Sequence, residues 1–115
     1  TILVEEINEK WMDKIRSLAQ PIQKSEYEIL KCEAKIKKKL AMLKIIAFEN
    51  GNKTVASQEV YAENDPSLYK LRLEHAVVKS NLASLKIQLE ALKVGFEEWR
   101  TKMVNAREEQ KRYGA

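Results

Sequence analysis

In the second half of the chain, residues recur in an unbroken alternation of four and three: Leu71, His75, Val78, Leu82, Leu85, Leu89, Leu92, Phe96, Trp99, Met103 and Ala106. All but His75 are apolar, and five heptads without a slip predict one long helix with a narrow seam, the coiled-coil pattern. Its start is marked by Asp65, suited to an N-cap, and by Pro66 at the first helical position, where a missing N–H costs nothing. Gly114 closes the run as a C-cap. A helix from Pro66 to Tyr113 would be about 72 Å long at 1.5 Å per residue.

The first half repeats the pattern less regularly through Ile15, Leu18, Ile22, Ile29, Cys32, Ile36, Leu43 and Ile46, with Ser25 and Lys39 as imperfect members. Trp11 and Val4 continue it backwards. Pro21 interrupts it, and a proline inside a helix removes one hydrogen bond at a cost of about 3 kcal/mol. A kink or short break is therefore expected near Gln20–Pro21, with Ser25-x-x-Glu28 as a capping box that restarts the helix. Asn50-Gly51-Asn52 ends this arm. Residues 51–65 connect the arms, with a short helical turn over Thr54 to Tyr61 and a breaker at Asn64-Asp65-Pro66.

These elements predict an all-α fold, a single domain over residues 1–115. It is a long antiparallel helical hairpin with arm one over about 3–50, a connector over 51–65 and arm two over about 66–113. Flanking the second seam, Arg72, Lys79, Lys86, Lys93, Arg100 and Arg107 place one base in each of six heptads. Folding at the connector brings Glu26 near Lys93 and Glu33 near Lys86, each pair worth about 0.2–1 kcal/mol.

The first arm is apolar on a second side, through Tyr27, Ala34, Ala41 and Phe48 with Leu30 and Ile45 beside them. The second arm offers Leu73, Val77, Ile87, Ala91 and Val94 away from its seam. One partner helix cannot cover both faces, and exposed apolar patches of this kind mark interfaces. The chain is thus expected to form a homo-oligomer, with Tyr27, Leu30, Ala34, Ala41, Ile45, Phe48, Leu73, Val77 and Ile87 at its interface.

Composition agrees with long helices. The 115 residues include 3 Gly and 2 Pro, and 33% are charged. No apolar run reaches the roughly 18 residues of a membrane span, and no signal-peptide pattern opens the chain, so a cytoplasmic protein is expected. The one cysteine, Cys32, and the one histidine, His75, both lie in seams. Cys32 reads as a small buried hydrophobe and His75 as a polar seam member that sets register. Neither has companions that would complete a metal site. No nucleophile, base or phosphate-loop constellation is present, so no enzyme, catalytic residue, metal, cofactor or small-molecule substrate is expected.

The net charge of +4 is modest, but its distribution is uneven. Between Lys31 and Lys53 lie 7 bases (Lys31, Lys35, Lys37, Lys38, Lys39, Lys44 and Lys53) and 2 acids, a local excess of +5. Tyr27, Phe48, Tyr61 and Tyr69 flank this run. Basic grooves with aromatic platforms bind single-stranded nucleic acid, and several copies of the patch in an oligomer would reinforce the field. Arg72, Lys79, Arg100 and Arg107 extend it where no acid opposes them.

Glu28-Ile29-Leu30-Lys31-Cys32-Glu33-Ala34-Lys35, closing at Asn50-Gly51, resembles the first long helix of the UvsY-like recombination mediators of T-even phages and their relatives. Tyr61 through Asp65 to Leu68, then Lys70-Leu71-Arg72-Leu73, is similar to the start of their second long helix, and Gly95-Phe96 with Trp99-Arg100 is similar to a motif near their C-terminus. Val94 stands where the family has Arg, and the spacing from Phe96 to Trp99-Arg100 is shorter. The resemblance implies a small helical oligomer, in the host cytoplasm if phage-encoded, that binds single-stranded DNA and helps load a recombinase. Patch and resemblance together point to a DNA-binding accessory protein. The alternative is a structural or adaptor coiled coil that assembles with proteins and binds no nucleic acid.

Overall fold

A computed structural model describes residues 3–114. The described chain is all-helical: α1 Val4–Arg16, α2 Ala19–Glu49, α3 Val55–Glu63 and α4 Pro66–Tyr113. The long helix expected over Pro66–Tyr113 is α4, and no strand occurs among the described residues. The chain divides into two compact units. A connector unit spans Gln23–Ala83, and a terminal unit takes in the chain up to Ile22 and from Ser84 onward.

The connector unit holds the best-buried core. Ile36 and Leu43 of α2, Ala62 of α3 and Leu68 of α4 are buried together, with Leu40 and Leu71 packed against them. Near the connector the buried face of α2 runs through Leu40, Leu43 and Ala47, while the expected seam residue Ile46 is 39% exposed. The side chain lost from the seam is replaced by Ala47, which has no exposed surface.

Local chemistry sets each boundary here. Gly51 takes φ of 97°, a left-handed conformation that costs a glycine little. That geometry lets Asn52 N–H donate to Ala47 O at 2.9 Å and Gly51 N–H to Phe48 O at 3.1 Å, which satisfies two end carbonyls of α2 in a Schellman motif. Thr54 caps α3, its Oγ1 accepting from Ser57 N–H at 3.1 Å. At the start of α4, Asp65 Oδ1 accepts from Ser67 N–H at 2.9 Å, from Leu68 N–H at 3.2 Å and from the Ser67 hydroxyl. These bonds, the Ser67 hydroxyl first, hold the Asp65 carboxyl below its ordinary value of 3.8.

The register differs from the expected one. Glu33 meets His75, with its Oε1 3.2 Å from Nε2, not Lys86. The offset of eleven residues is about three helical turns. Its cause is the connector: α3 is a packed helix that buries Ala62 in the core. The start of α4 is therefore held against the later part of α2, with Leu68 packed among Ile36, Leu40 and Leu43. The expected partner of Glu26 is taken as well, since Lys93 lies 3.7 Å from Glu90 one turn away in α4.

In the terminal unit α1 lies along the second half of α4. Trp11 meets Phe96 with ring centroids 6.4 Å apart, and Phe96 meets Trp99 at 6.1 Å. Gly95 makes the first contact possible, because a Cβ there would sit 2.9 Å from Trp11 Cη2. No residue of α1 is fully buried; Trp11, Ile15, Phe96 and Trp99 are half-buried.

The break in the first arm falls at Ser17–Leu18, before the expected Gln20–Pro21. A helical residue at 21 would donate its N–H to the carbonyl four residues earlier, so the bond that Pro21 lacks is the one owed to Ser17. The chain opens there, with Ser17 Oγ donating to Lys14 O at 2.6 Å and Leu18 N–H to Ile15 O at 3.2 Å. Pro21 then occupies the first turn of α2, where helices tolerate it. Ser25 and Glu28 lie inside α2 and so restart nothing.

Candidate interface on the second helix

The lysine run lies on α2 within the connector unit. Lys31, Lys35, Lys37 and Lys38 are exposed, and Lys39 and Lys44 are half-buried. None of the six has an acidic partner within 4.0 Å among the described residues. Lys39 lies close enough to Asp65 to favour the ionised carboxylate, so part of its field is spent on the α4 cap. Lys53 has a structural task. Its Nζ donates to Phe48 O at 3.1 Å and stands 3.7 Å from the centroid of the Phe48 ring. A cation at a helix C-terminus is favourable, and one face of Phe48 is covered by it.

Of the bases expected to extend the patch without opposition, two are opposed. Arg72 Nη2 lies 2.6 Å from Glu63 Oε1, a partner supplied by α3. Arg100 Nη1 lies 3.4 Å from Glu97 in the preceding turn of α4 and its guanidinium 5.6 Å from the Phe96 ring. Lys79 and Arg107 have no acidic partner within that range among the described residues. Arg107 borders a cleft of about 380 Å³ in the terminal unit, alongside Val4, Asn8, Trp99 and Met103.

Between the lysines runs the second apolar side of α2. Tyr27 is 62% exposed, Leu30 65%, Ile45 61% and Phe48 50%; Ala34 and Ala41 are exposed with them. By helical periodicity this stripe lies opposite the buried Cys32, Ile36 and Leu43, and it is about 30 Å long. Lys37 and Lys44 follow one edge of it together with Glu26 and Glu33, and Lys31, Lys35 and Lys38 the other together with Glu49. This two-edged arrangement was missed from sequence, although spacing alone contains it. On α4, Leu73, Val77, Ile87 and Val94 are exposed, as is Ala91. Of the four aromatic platforms, Tyr27 and Tyr69 make no side-chain hydrogen bond among the described residues, while Tyr61 OH accepts from Asn50 Nδ2 at 3.2 Å.

No family model, curated protein or solved structure matches the chain. The likeness to the UvsY-like mediators therefore rests on the short segments quoted above. Among the described residues no group of three or more His, Cys, Asp or Glu is placed to hold a metal ion, and no helix is long and apolar enough to cross a membrane. Cys32 is buried and unpaired with sulfur. The exposed side of α2 thus presents apolar surface bordered by lysines, with acids among them.

Proposed function

We propose that this chain is a DNA-binding accessory protein that holds a single strand along the lysine-rich face of α2. The observation that supports this most directly is a run of six lysines from Lys31 to Lys44, with Glu33 the one acid among them and no carboxylate within 4.0 Å of their amines among the described residues. Each unpaired lysine that meets a phosphate releases condensed counterions, which drives association and makes it sensitive to salt. Tyr27 and Tyr69 supply the open aromatic faces on which bases stack. On this reading the protein is a helical hairpin that works as an oligomer in the cytoplasm, the host's if it is phage-encoded. Its resemblance to recombination mediators extends the role to loading a recombinase on the strand.

The test is a titration of labelled single-stranded DNA with the wild-type chain and with Lys35→Glu/Lys38→Glu. Both lysines are exposed and unpaired, so the helical circular dichroism should be unchanged while affinity falls at least about tenfold. Equal affinity would remove the patch from the account. A second reading, an adaptor coiled coil without nucleic-acid affinity, is favoured by the apolar stripe on α2. It predicts assembly with protein and no binding of the oligonucleotide.

A further inference from the structure

We infer that the apolar side of α2 is the contact with a second copy of this chain, the two helices packed antiparallel about a two-fold axis level with Lys37 and Lys38. The inference rests on the oligomeric part of the proposed function, to which it gives a geometry, and not on its DNA binding.

A two-fold contact sets one surface against itself, so a residue that meets another is met by it in turn. The exposed stripe has the spacing this needs. Tyr27 and Phe48 lie equally far from the Lys37–Lys38 peptide bond, as do Leu30 and Ile45, and then Ala34 and Ala41. Paired antiparallel about that point, aromatic meets aromatic, aliphatic meets aliphatic and alanine meets alanine. Leu30 and Ile45 are 65% and 61% exposed, apolar surface of the kind that interfaces cover. The alanine layers put only methyl groups nearest the axis, so the helices approach at the close end of the usual spacing of about 8–10 Å.

Charge supports a second copy. Three acids border the stripe, Glu26, Glu33 and Glu49. In the antiparallel pair Glu33 comes within about 3 Å, along the helix axis, of the level of Lys44 of the second copy, and Glu49 of the level of its Lys24. One oxygen of Glu33 lies 3.2 Å from His75 Nε2 of its own chain, which leaves the other for Lys44. Lys24 and Glu49 have no charged partner within 4.0 Å among the described residues. Lys53 Nζ stands 3.7 Å from the Phe48 ring centroid. It is carried with that ring to Tyr27 of the second copy, and so to Glu26 beside it. Each of the three acids thus meets a base.

The flanking charges would suit a parallel pair as well, and two features select against it. Parallel packing would set Phe48 on Phe48 and bring the two Lys53 cations together. It would also align the helix dipoles, whose repulsion is greatest at close approach, whereas antiparallel packing sets opposite partial charges side by side. What opposes the antiparallel pair is at its axis, where Lys37 and Lys38 of both copies converge.

The test is sedimentation equilibrium of the full chain, with oxidative cross-linking in a Cys32→Ala background. Wild type should self-associate. Leu30→Ser/Ile45→Ser should weaken association at least about a hundredfold, since each pair loses four buried aliphatic side chains. Lys24→Glu should weaken it at least about threefold and Glu49→Lys likewise, while the two together should restore it, because the exchange keeps the paired charges opposite. Lys37→Gln/Lys38→Gln should tighten it about threefold by removing the repulsion at the axis. Ala34→Cys and Ala41→Cys chains should form a disulfide-linked dimer when mixed and neither alone, since antiparallel pairing leaves like positions about 10 Å apart along the axis. All these residues but Cys32 are exposed, so circular dichroism of the serine, glutamine and charge variants should match wild type. A wild type that stays monomeric at millimolar concentration would overturn the inference. So would association that survives Leu30→Ser/Ile45→Ser, which gives the contact to another face. Disulfides within each single-cysteine variant but not in the mixture would overturn it too, as the mark of a parallel pair. Single-strand affinity is measured separately. Its absence defeats the DNA reading and leaves the pair standing, while a monomeric chain that binds DNA defeats the pair and keeps the DNA reading.

Discussion

Gly95 lies in the middle of α4, where replacing glycine by alanine ordinarily stabilises a helix by about 1 kcal/mol. Here a Cβ would lie 2.9 Å from Trp11 Cη2 and 3.1 Å from Cζ3, well inside the roughly 3.5–4.0 Å of a comfortable carbon contact. The outer edge of the Trp11 ring has to shift. Overpacking of this sort costs about 1–3 kcal/mol, so Gly95→Ala should be neutral to about 2 kcal/mol destabilising. A cycle with Trp11→Ala isolates the cause. In the alanine background the overlap is gone, and Gly95→Ala should stabilise by about 1 kcal/mol. Thermal unfolding by circular dichroism gives the four stabilities, and tryptophan fluorescence should shift to the red in Gly95→Ala as Trp11 becomes wetter. A melting temperature that rises equally in both backgrounds would refute the reasoning, because it would leave Trp11 uncoupled from Gly95.

Three further outcomes are expected. Gly51→Ala places a side chain at φ of 97° and should destabilise by about 1–2 kcal/mol with no new contact, since nothing lies within 4 Å of the added Cβ; chemical denaturation measures it. Thr54→Ala leaves Ser57 N–H without its cap acceptor and should cost about 1 kcal/mol, read from the same unfolding midpoint. The Asp65 carboxyl is held below its ordinary 3.8 by the Ser67 hydroxyl and two backbone N–H groups. Its contribution is therefore present above that ordinary value and lost as pH falls through the lower folded one. The melting-temperature gap between wild type and Asp65→Asn should be present at pH 6 and narrow toward pH 2, and a constant gap would contradict the assignment.

The elements were legible because their signals are local. The 4-3 spacing from Leu71 to Met103, with Asp65 and Pro66 at its start, marks α4, and every seam residue in that run is half-buried. The register was not legible. It depends on whether the connector is slack or packed, and α3 packs, with Ala62 buried against Leu43 and Leu68. That non-local contact moves Glu33 to His75 and puts Glu63 beside Arg72, removing one base from the patch. Pro21 marks the disruption in the sequence, and the break itself lies a few residues before it at Ser17–Leu18, since a missing N–H is felt at the acceptor four residues earlier. Lysines on α2 were visible as a run. Their placement along one apolar stripe, with Glu26, Glu33 and Glu49 among them, depends on the helix being continuous from Ala19 to Glu49, which it is.

The most direct measurement is the affinity of the wild-type chain for a labelled single-stranded oligonucleotide across a series of salt concentrations, with a duplex of equal length beside it. If three to five lysines of α2 meet phosphates, log K should fall against log salt with a slope of about −2 to −3.5, and the single strand should bind more tightly than the duplex. Absence of binding at micromolar protein in low salt would contradict the DNA-binding account and leave α2 as a surface for protein alone.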